Sequence, residues 1–344
     1  MTSSQKRSRL HFLRRQLLLG CGVVLALIAL VSSASPWPST MLIRWTFEDD
    51  GAATVAEMER NQAKLDIESK RNIAYAPDSE DTRLDVFRPA SATDPLPVVV
   101  WIHGGAWVSG SKDNVAPYLE MVANEGYAAI GVDYTLGPEA TYPTAFEQLN
   151  TALEYIDDHA DELGVDPDRI ILAGDSAGSQ LASQLAVLVT NPHYAHFTGI
   201  EPALSPDQLD AVILYCGIYD LDAMAELTGI ESWGLKTALW AYTGTKEWSQ
   251  LASGSLMSTQ NWVTEDFPET FISGGNGDAL TWIQSLPMSQ TLRDEGVSVT
   301  ELFYQADHQP ALPHEYQFHL DLADARNAFD KTLGFLQRVT AEST

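Results

Sequence analysis

Five residues, Gly174-Asp175-Ser176-Ala177-Gly178, carry the strongest chemical signal in the chain. They follow an apolar, strand-like run (Arg169–Gly174) and open a stretch of helical periodicity (Ala177–Thr190). A serine on so sharp a strand-to-helix turn is forced into a strained backbone conformation, and its hydroxyl stands clear of the sheet at the helix N-terminus. That is the setting of a nucleophile. Gly174 and Gly178 remove side chains where strand and helix approach, and the Ala177 N–H points to the same spot, where it can bind an oxyanion. A second signal, His103-Gly104-Gly105-Ala106-Trp107, follows the apolar run Pro97–His103. Two successive glycines let the Gly104 and Gly105 N–H groups face a ligand at close range, as the other half of an oxyanion hole. His103 is expected to hold this loop by hydrogen bonds rather than to react.

Both motifs need a sheet to present them. Strand-like runs occur near 72–75, 83–88, 97–103, 128–134, 169–174, 211–217, 269–273 and 297–304. Helical periodicity fits 115–125, 144–163, 177–190, 282–295 and 323–340. Runs such as Val98-Val99-Val100-Trp101-Ile102 are apolar throughout, as parallel strands buried on both faces are. The alternation predicts a doubly wound, mostly parallel sheet of about eight strands with helices on both faces. Residues 41–70 read as one or two amphipathic helices before the sheet. Residues 220–266 break the alternation and hold Trp233, Trp240, Trp248 and Trp262. They are either a small cap over a site or short helices with a minor core of their own.

Charge and cysteine content exclude some functions. The formal net charge is −27. Five of the 20 basic residues (Lys6, Arg7, Arg9, Arg14, Arg15) lie in residues 1–34 with no acid, so the remainder holds 15 bases against 47 acids, a balance of −32. Nothing there offers a footprint for nucleic acid. Cys21 and Cys216 are not placed to pair, and Cys216, in an apolar strand-like run, reads as a small buried residue.

The basic residues precede an apolar run, Leu17–Val31, and then Ser32-Ser33-Ala34-Ser35-Pro36, the three-part pattern of an export signal. The run has fifteen residues, short of the ~20 of a spanning helix. Extended to Ala34 it also reads as a signal anchor, with membrane attachment through residues 17–34 and the body outside the cytoplasm. Arg14-Arg15 resembles a twin-arginine motif with imperfect flanks. Leu18-Leu19-Gly20-Cys21 lies at the wrong end of the run for a lipobox. The boundaries expected are 1–35 for the signal or anchor and 36–344 for one catalytic domain, with 220–266 as a cap insertion.

The two motifs, with Asp133-Tyr134-Thr135-Leu136-Gly137-Pro138-Glu139 and Tyr142-Pro143 between them, resemble the hormone-sensitive-lipase-like and feruloyl-esterase-like (BD-FAE) branches of the α/β-hydrolases. The resemblance spans about residues 70–340 and is most specific over 97–178. It implies the α/β-hydrolase fold, a Ser–Asp–His triad, a small-molecule ester substrate, and neither metal nor organic cofactor. One departure is Ala106, where those families carry a third glycine; alanine keeps its N–H but leaves less room. The acid should follow the next-to-last strand, where Gly274-Gly275-Asn276-Gly277-Asp278 stands, and the resemblance maps Asp278 onto it ahead of Asp266 and Asp294. The base should follow the last strand. His308 and His314 both qualify, and His314, leading toward the final helix, is favoured over His308 and over His319.

With Ser176 as nucleophile, Asp278 and His314 as acid and base, and Gly104, Gly105 and Ala177 as oxyanion donors, the expected reaction is ester hydrolysis through an acyl-enzyme. Two rivals stand beside it: an amide or peptide hydrolase or arylformamidase of the same fold, and a membrane-held binding module without catalysis.

Overall fold

The computed structural model describes residues 30–341 other than Asp78, together with the isolated positions 16, 20 and 22. The expected export segment, 1–35, therefore falls largely outside the described residues; 30–34 of it are helical.

The first long element is helix α1 (Trp37–Asn61), with Pro38 in its first turn, where a missing N–H costs nothing. It ends earlier than the 41–70 reading, because Ile67–Ala74 is already strand β1. The sequence showed only its end, the strand-like run near 72–75, and hid its first five residues. Glu68, Ser69, Lys70 and Arg71 are exposed on a sheet edge, where charged side chains deter further pairing. Strand β2 (Arg83–Pro89) runs antiparallel to β1 and to β4 (Ala128–Val132). From there the sheet is parallel through β3 (Leu96–Ile102), β5 (Val165–Asp175), β6 (Leu209–Tyr215), β7 (Glu269–Gly274) and β8 (Val299–Phe303). The order is β1-β2-β4-β3-β5-β6-β7-β8. The eight-stranded, mostly parallel α/β-hydrolase sheet expected is the one observed.

Apolar runs become central strands because both their faces are covered. In β3, Val98, Val100 and Ile102 pack with helices α3 (Thr144–Asp158) and α5 (Ala177–Thr190). Val99 and Trp101 face the opposite layer, of helices α2 (Lys112–Asn124) and α11 (Ala323–Val339). Each such side chain stabilises the fold by about 1.5–3 kcal/mol. Every residue of α5 is buried, so the helix that begins after Ser176 is held in the middle of the protein. The helix read over 144–163 breaks at His159, where a one-turn helix, α4 (Ala160–Leu163), follows.

After β6, residues 220–266 form helices α7 (Leu221–Glu226), α8 (Ile230–Thr243) and α9 (Ala252–Met257). Among the described residues the stretch forms no minor core of its own. Trp248 is buried in the main core, while Leu227, Ser232 and Leu235 line a cavity above the sheet. The remaining helices are α6 (Pro192–Thr198) and α10 (Leu286–Asp294), the latter preceded by a π-helical turn (Thr281–Ser285).

Candidate active site

Strand β5 ends at Asp175, and Ser176 turns the chain into α5 with φ 51° and ψ −117°. A non-glycine residue in that region costs about 1–3 kcal/mol, and the surroundings must enforce it. They do so with backbone contacts. Ser176 N–H donates to the Tyr215 carbonyl at 2.8 Å, and the Ser179 hydroxyl reaches the carbonyls of Gly174 (2.6 Å) and Tyr215 (2.8 Å). A Cβ on Gly178 would lie 1.9 Å from the Ile102 carbonyl oxygen, and one on Gly174 would lie 2.5 Å from Gly178. The two glycines thus allow strand and helix to touch, as their spacing implied.

His314 Nε2 lies 2.9 Å from Ser176 Oγ, and His314 Nδ1 lies 2.7 Å from Asp278 Oδ2. With Nδ1–H donating to the carboxylate, Nε2 is left to accept the serine proton. Asp278 is nearly buried, and its Oδ1 accepts from the Leu280 N–H at 2.9 Å. The Gly274–Gly277 loop does more than turn the acid back. The Asn276 side chain accepts from Leu312 N–H (2.9 Å) and donates to the His308 carbonyl (3.0 Å), and Gly277 N–H donates to the Leu312 carbonyl (2.9 Å). A Cβ on Gly275 would sit 2.3 Å from that same carbonyl oxygen. The acid loop therefore clamps the segment that carries His314. Asn276 was not singled out from the sequence, because its partners lie more than thirty residues on.

His308 is drawn elsewhere: Nε2 meets Asp324 at 3.1 Å, and the ring lies over Tyr304. His319 pairs with Glu57 at 3.1 Å. Asp294 takes a hydrogen bond from Gln290 on the surface of α10, and Asp266 is exposed.

The glycine-rich loop after β3 departs from expectation at one atom. Gly104 N–H, expected to face a ligand, donates instead to Asp175 Oδ2 at 2.8 Å. A Cβ on Gly104 would collide with that oxygen at 2.3 Å, so the glycine serves close approach rather than donation outward. Among the described residues none accepts from the amides of Gly105, Ala106 or Ala177. Gly105, Ala106 and Trp107 have φ of 97°, 52° and 60°, a left-handed run closed by Ser109 N–H on the Gly105 carbonyl. His103 holds the loop as anticipated: its Nδ1 lies 2.8 Å from the Gly104 carbonyl oxygen, and its ring stacks on Tyr134, whose hydroxyl donates to the His103 carbonyl. Burial lowers the pKa of His103 despite Asp133 nearby, so it stays a neutral strut.

Two carboxyl groups complete the site. Asp175 is buried, accepts from Trp101 Nε1 at 2.7 Å, and contacts Glu315. Burial first, and Glu315 second, hold the Asp175 carboxyl well above the usual carboxylate range. Glu315 Oε1 lies 3.7 Å from His314 Nε2. Burial draws the His314 pKa down, but Asp278, with smaller help from Glu315 and Asp175, lifts it to about 9. Among the described residues, Cys216, His314 and Glu315 are close enough to share a metal ion. His314 is already bonded on both nitrogens, and burial pushes the Cys216 thiol far up, so that trio suits an acid–base site better than a metal.

A cavity of about 770 Å³ opens over Ser176, Gly105 and Ala106. Its upper wall comes from two sources, the α7–α8 segment and the N-terminal helix α1, whose Phe47 and Thr54 face it. The part played by α1 was invisible in the sequence, where its periodicity announced a helix but not what it covers. Carboxyl groups of Asp50, Glu57 and Glu315 line the cavity, and among the described residues no lysine or arginine does.

The BD-FAE family model matches residues 84–292. The carboxylesterase NlhH of Mycobacterium tuberculosis is 40% identical over 109 residues, covering 31% of this chain and 34% of that protein. The esterase LipQ of the same species is 24% identical over 276 residues, covering 79% of this chain and 60% of its own length. The chain thus spans about a third to three-fifths of the length of these relatives. Among solved structures, esterase B from Lactobacillus rhamnosis superposes with a TM-score of 0.76 at 20% identity, over 89% of this chain and 96% of that one.

Proposed function

Because the chain belongs to the BD-FAE family of α/β-hydrolases, we propose that it is a carboxylic-ester hydrolase with Ser176 as nucleophile, His314 as general base and Asp278 as the acid that orients it. The observation that carries this reading is the unbroken relay from Asp278 through His314 to Ser176 Oγ, at 2.7 and 2.9 Å, at the floor of a cavity.

In this mechanism His314 Nε2 takes the hydroxyl proton as Ser176 Oγ attacks the ester carbonyl carbon. The Asp278 carboxylate holds the imidazole in the required tautomer and stabilises the imidazolium. The tetrahedral oxyanion is met by the amides of Gly105, Ala106 and Ala177, which have no other acceptor among the described residues. Each such donor is worth about 2.7–4 kcal/mol of barrier. His314 then protonates the departing alkoxide, and water, activated by the same imidazole, releases the acid from the acyl-enzyme. Gly104 acts one step back: Asp175 holds its amide and so fixes the turn that aims the next two. A cavity lined with carboxyl groups and, among the described residues, without lysine or arginine suits neutral esters better than anionic ones.

The apolar run that follows the basic Lys6–Arg15 stretch supports a body outside the cytoplasm, exported or anchored by that run.

A fluorophosphonate label and a chain-length series of p-nitrophenyl esters test the catalytic reading. The label is expected on Ser176, and Ser176→Ala should lower kcat by roughly 10⁴-fold or more. Labelling of another residue, or undiminished turnover in Ser176→Ala, would overturn it.

A further inference from the structure

The outer face of the first turns of α1, opposite Ile43 and Arg44, is exposed, and its composition is unusual. Residues 16–43 contain no Asp, Glu, Lys or Arg, and Arg44 is the first charged side chain after Arg15. Arg44 itself is turned into the protein. Its guanidinium donates to the Val108 and Gly137 carbonyls and to both oxygens of Glu139. On the same inner side, Ile43 packs with Ala106, Val108, Ala238 and Ala241. Leu42 and Trp45 stand on the opposite side of the helix at 56% and 67% exposure, and Leu30, Val31 and Trp37 are exposed toward the N-terminus. Beyond Trp45 the surface changes within one turn to exposed Glu48, Asp49 and Asp50.

We propose that this face, centred on Leu42 and Trp45, seats on the surface of a lipid bilayer and holds the mouth of the cavity against the membrane. The proposal rests on the anchor reading above. The 28 residues without charge would extend ~42 Å as helix, more than the ~30 Å hydrocarbon core. The excess emerges at Ser35-Pro36, where the helical chain is interrupted before α1 begins. A length of chain that leaves the hydrocarbon there and continues uncharged to Ile43 lies in the interfacial layer, the depth that tryptophan favours. No described helix, α1 included, is long and apolar enough to cross a membrane. The acidic body disfavours anionic headgroups, so the lipid surface it fits is a neutral, zwitterionic one. Phe47, half a turn past Trp45, already lines the cavity. A membrane-dissolved ester therefore reaches Ser176 without crossing water, and lipophilic esters are the substrates this geometry favours.

The test uses the full chain with phosphatidylcholine vesicles, with and without lipid brominated near the headgroup. Flotation reports the anchor; quenching of tryptophan fluorescence reports the face. Quenching is expected in the native chain and should fall strongly in the conservative pair Trp37→Phe and Trp45→Phe, which still floats. Leu42→Glu with Trp45→Glu should slow hydrolysis of a long-chain ester presented in vesicles by about tenfold or more, since two apolar anchors are lost. Hydrolysis of soluble p-nitrophenyl acetate should be unchanged, which also shows that the variant is folded. A chain that floats without quenching overturns the docking face and leaves the anchor standing. A chain that does not float overturns both. A stable dimer that protects Trp45 in the absence of lipid would give the face to a second copy instead.

Discussion

Glu315→Gln should move the acid limb of the pH–rate profile. The base must be neutral to take the Ser176 proton, so kcat/KM rises with pH through the pKa of free-enzyme His314, which is lifted to about 9. Glu315 contributes to that lift from 3.7 Å. Two unit charges at that distance interact by about 1 kcal/mol in a water-like dielectric and about 4–5 kcal/mol at an effective constant near 20. Both side chains are about one-third exposed, so solvent screening puts the value toward the lower figure. One pKa step is about 1.36 kcal/mol, and removing the charge should shift the acid limb by roughly one unit. The direction follows from the sign. Losing a negative neighbour destabilises the imidazolium, lowers its pKa, and makes the variant more active than the native chain on the acid side. Glu315 is also one of the two groups that push the Asp175 pKa up, so its removal favours the Asp175 carboxylate, which offsets part of the shift and keeps it from exceeding that figure. The assay is kcat/KM for an uncharged ester across pH, at low and at high salt, with the shift smaller at high salt. A variant slower at every pH with its midpoint unmoved would mean that Glu315 acts through packing alone, and the electrostatic argument would be refuted.

Two further outcomes follow from the same contacts. His314→Ala should lose roughly 10⁴-fold or more in kcat, while His308→Ala, whose imidazole pairs with Asp324, should keep its turnover within a few-fold; steady-state kinetics of both variants decide the assignment. Arg44→Ala frees α1 from the Val108 and Gly137 carbonyls and should destabilise the fold by about 1–3 kcal/mol, read from the denaturant midpoint. Arg44→Lys should recover only part of that, since an ammonium cannot reproduce the bidentate grip on Glu139.

What was legible in the sequence is what is local. The turn at Ser176 is written in five consecutive residues because its strain, its two close approaches and its helix start are all decided within one strand–turn–helix unit. The central strands were legible because burial on both faces leaves no room for polar residues. Strand β1 was legible only at its end, near 72–75, since an edge strand open to water on one side can carry Glu68, Lys70 and Arg71 without cost.

The oxyanion loop shows where local reading stops. That two glycines admit a backbone amide to a ligand is a local statement, and no described residue accepts from the Gly105 amide. Which amide faces outward depends on Asp175, 71 positions away, and that carboxylate claims Gly104. The proposed donor set therefore lies one residue along, at Gly105 and Ala106, in a turn where Ala106 and Trp107 both have positive φ, a conformational cost. The same long-range logic makes α1 part of the site. Ile43 packs on Ala106 and Val108, and Arg44 binds the carbonyl of Val108, so the helix nearest the apolar N-terminal run also braces the loop that carries the proposed oxyanion donors. A force or a surface that positions α1 thus acts on the aim of two amides, with no contact to the substrate.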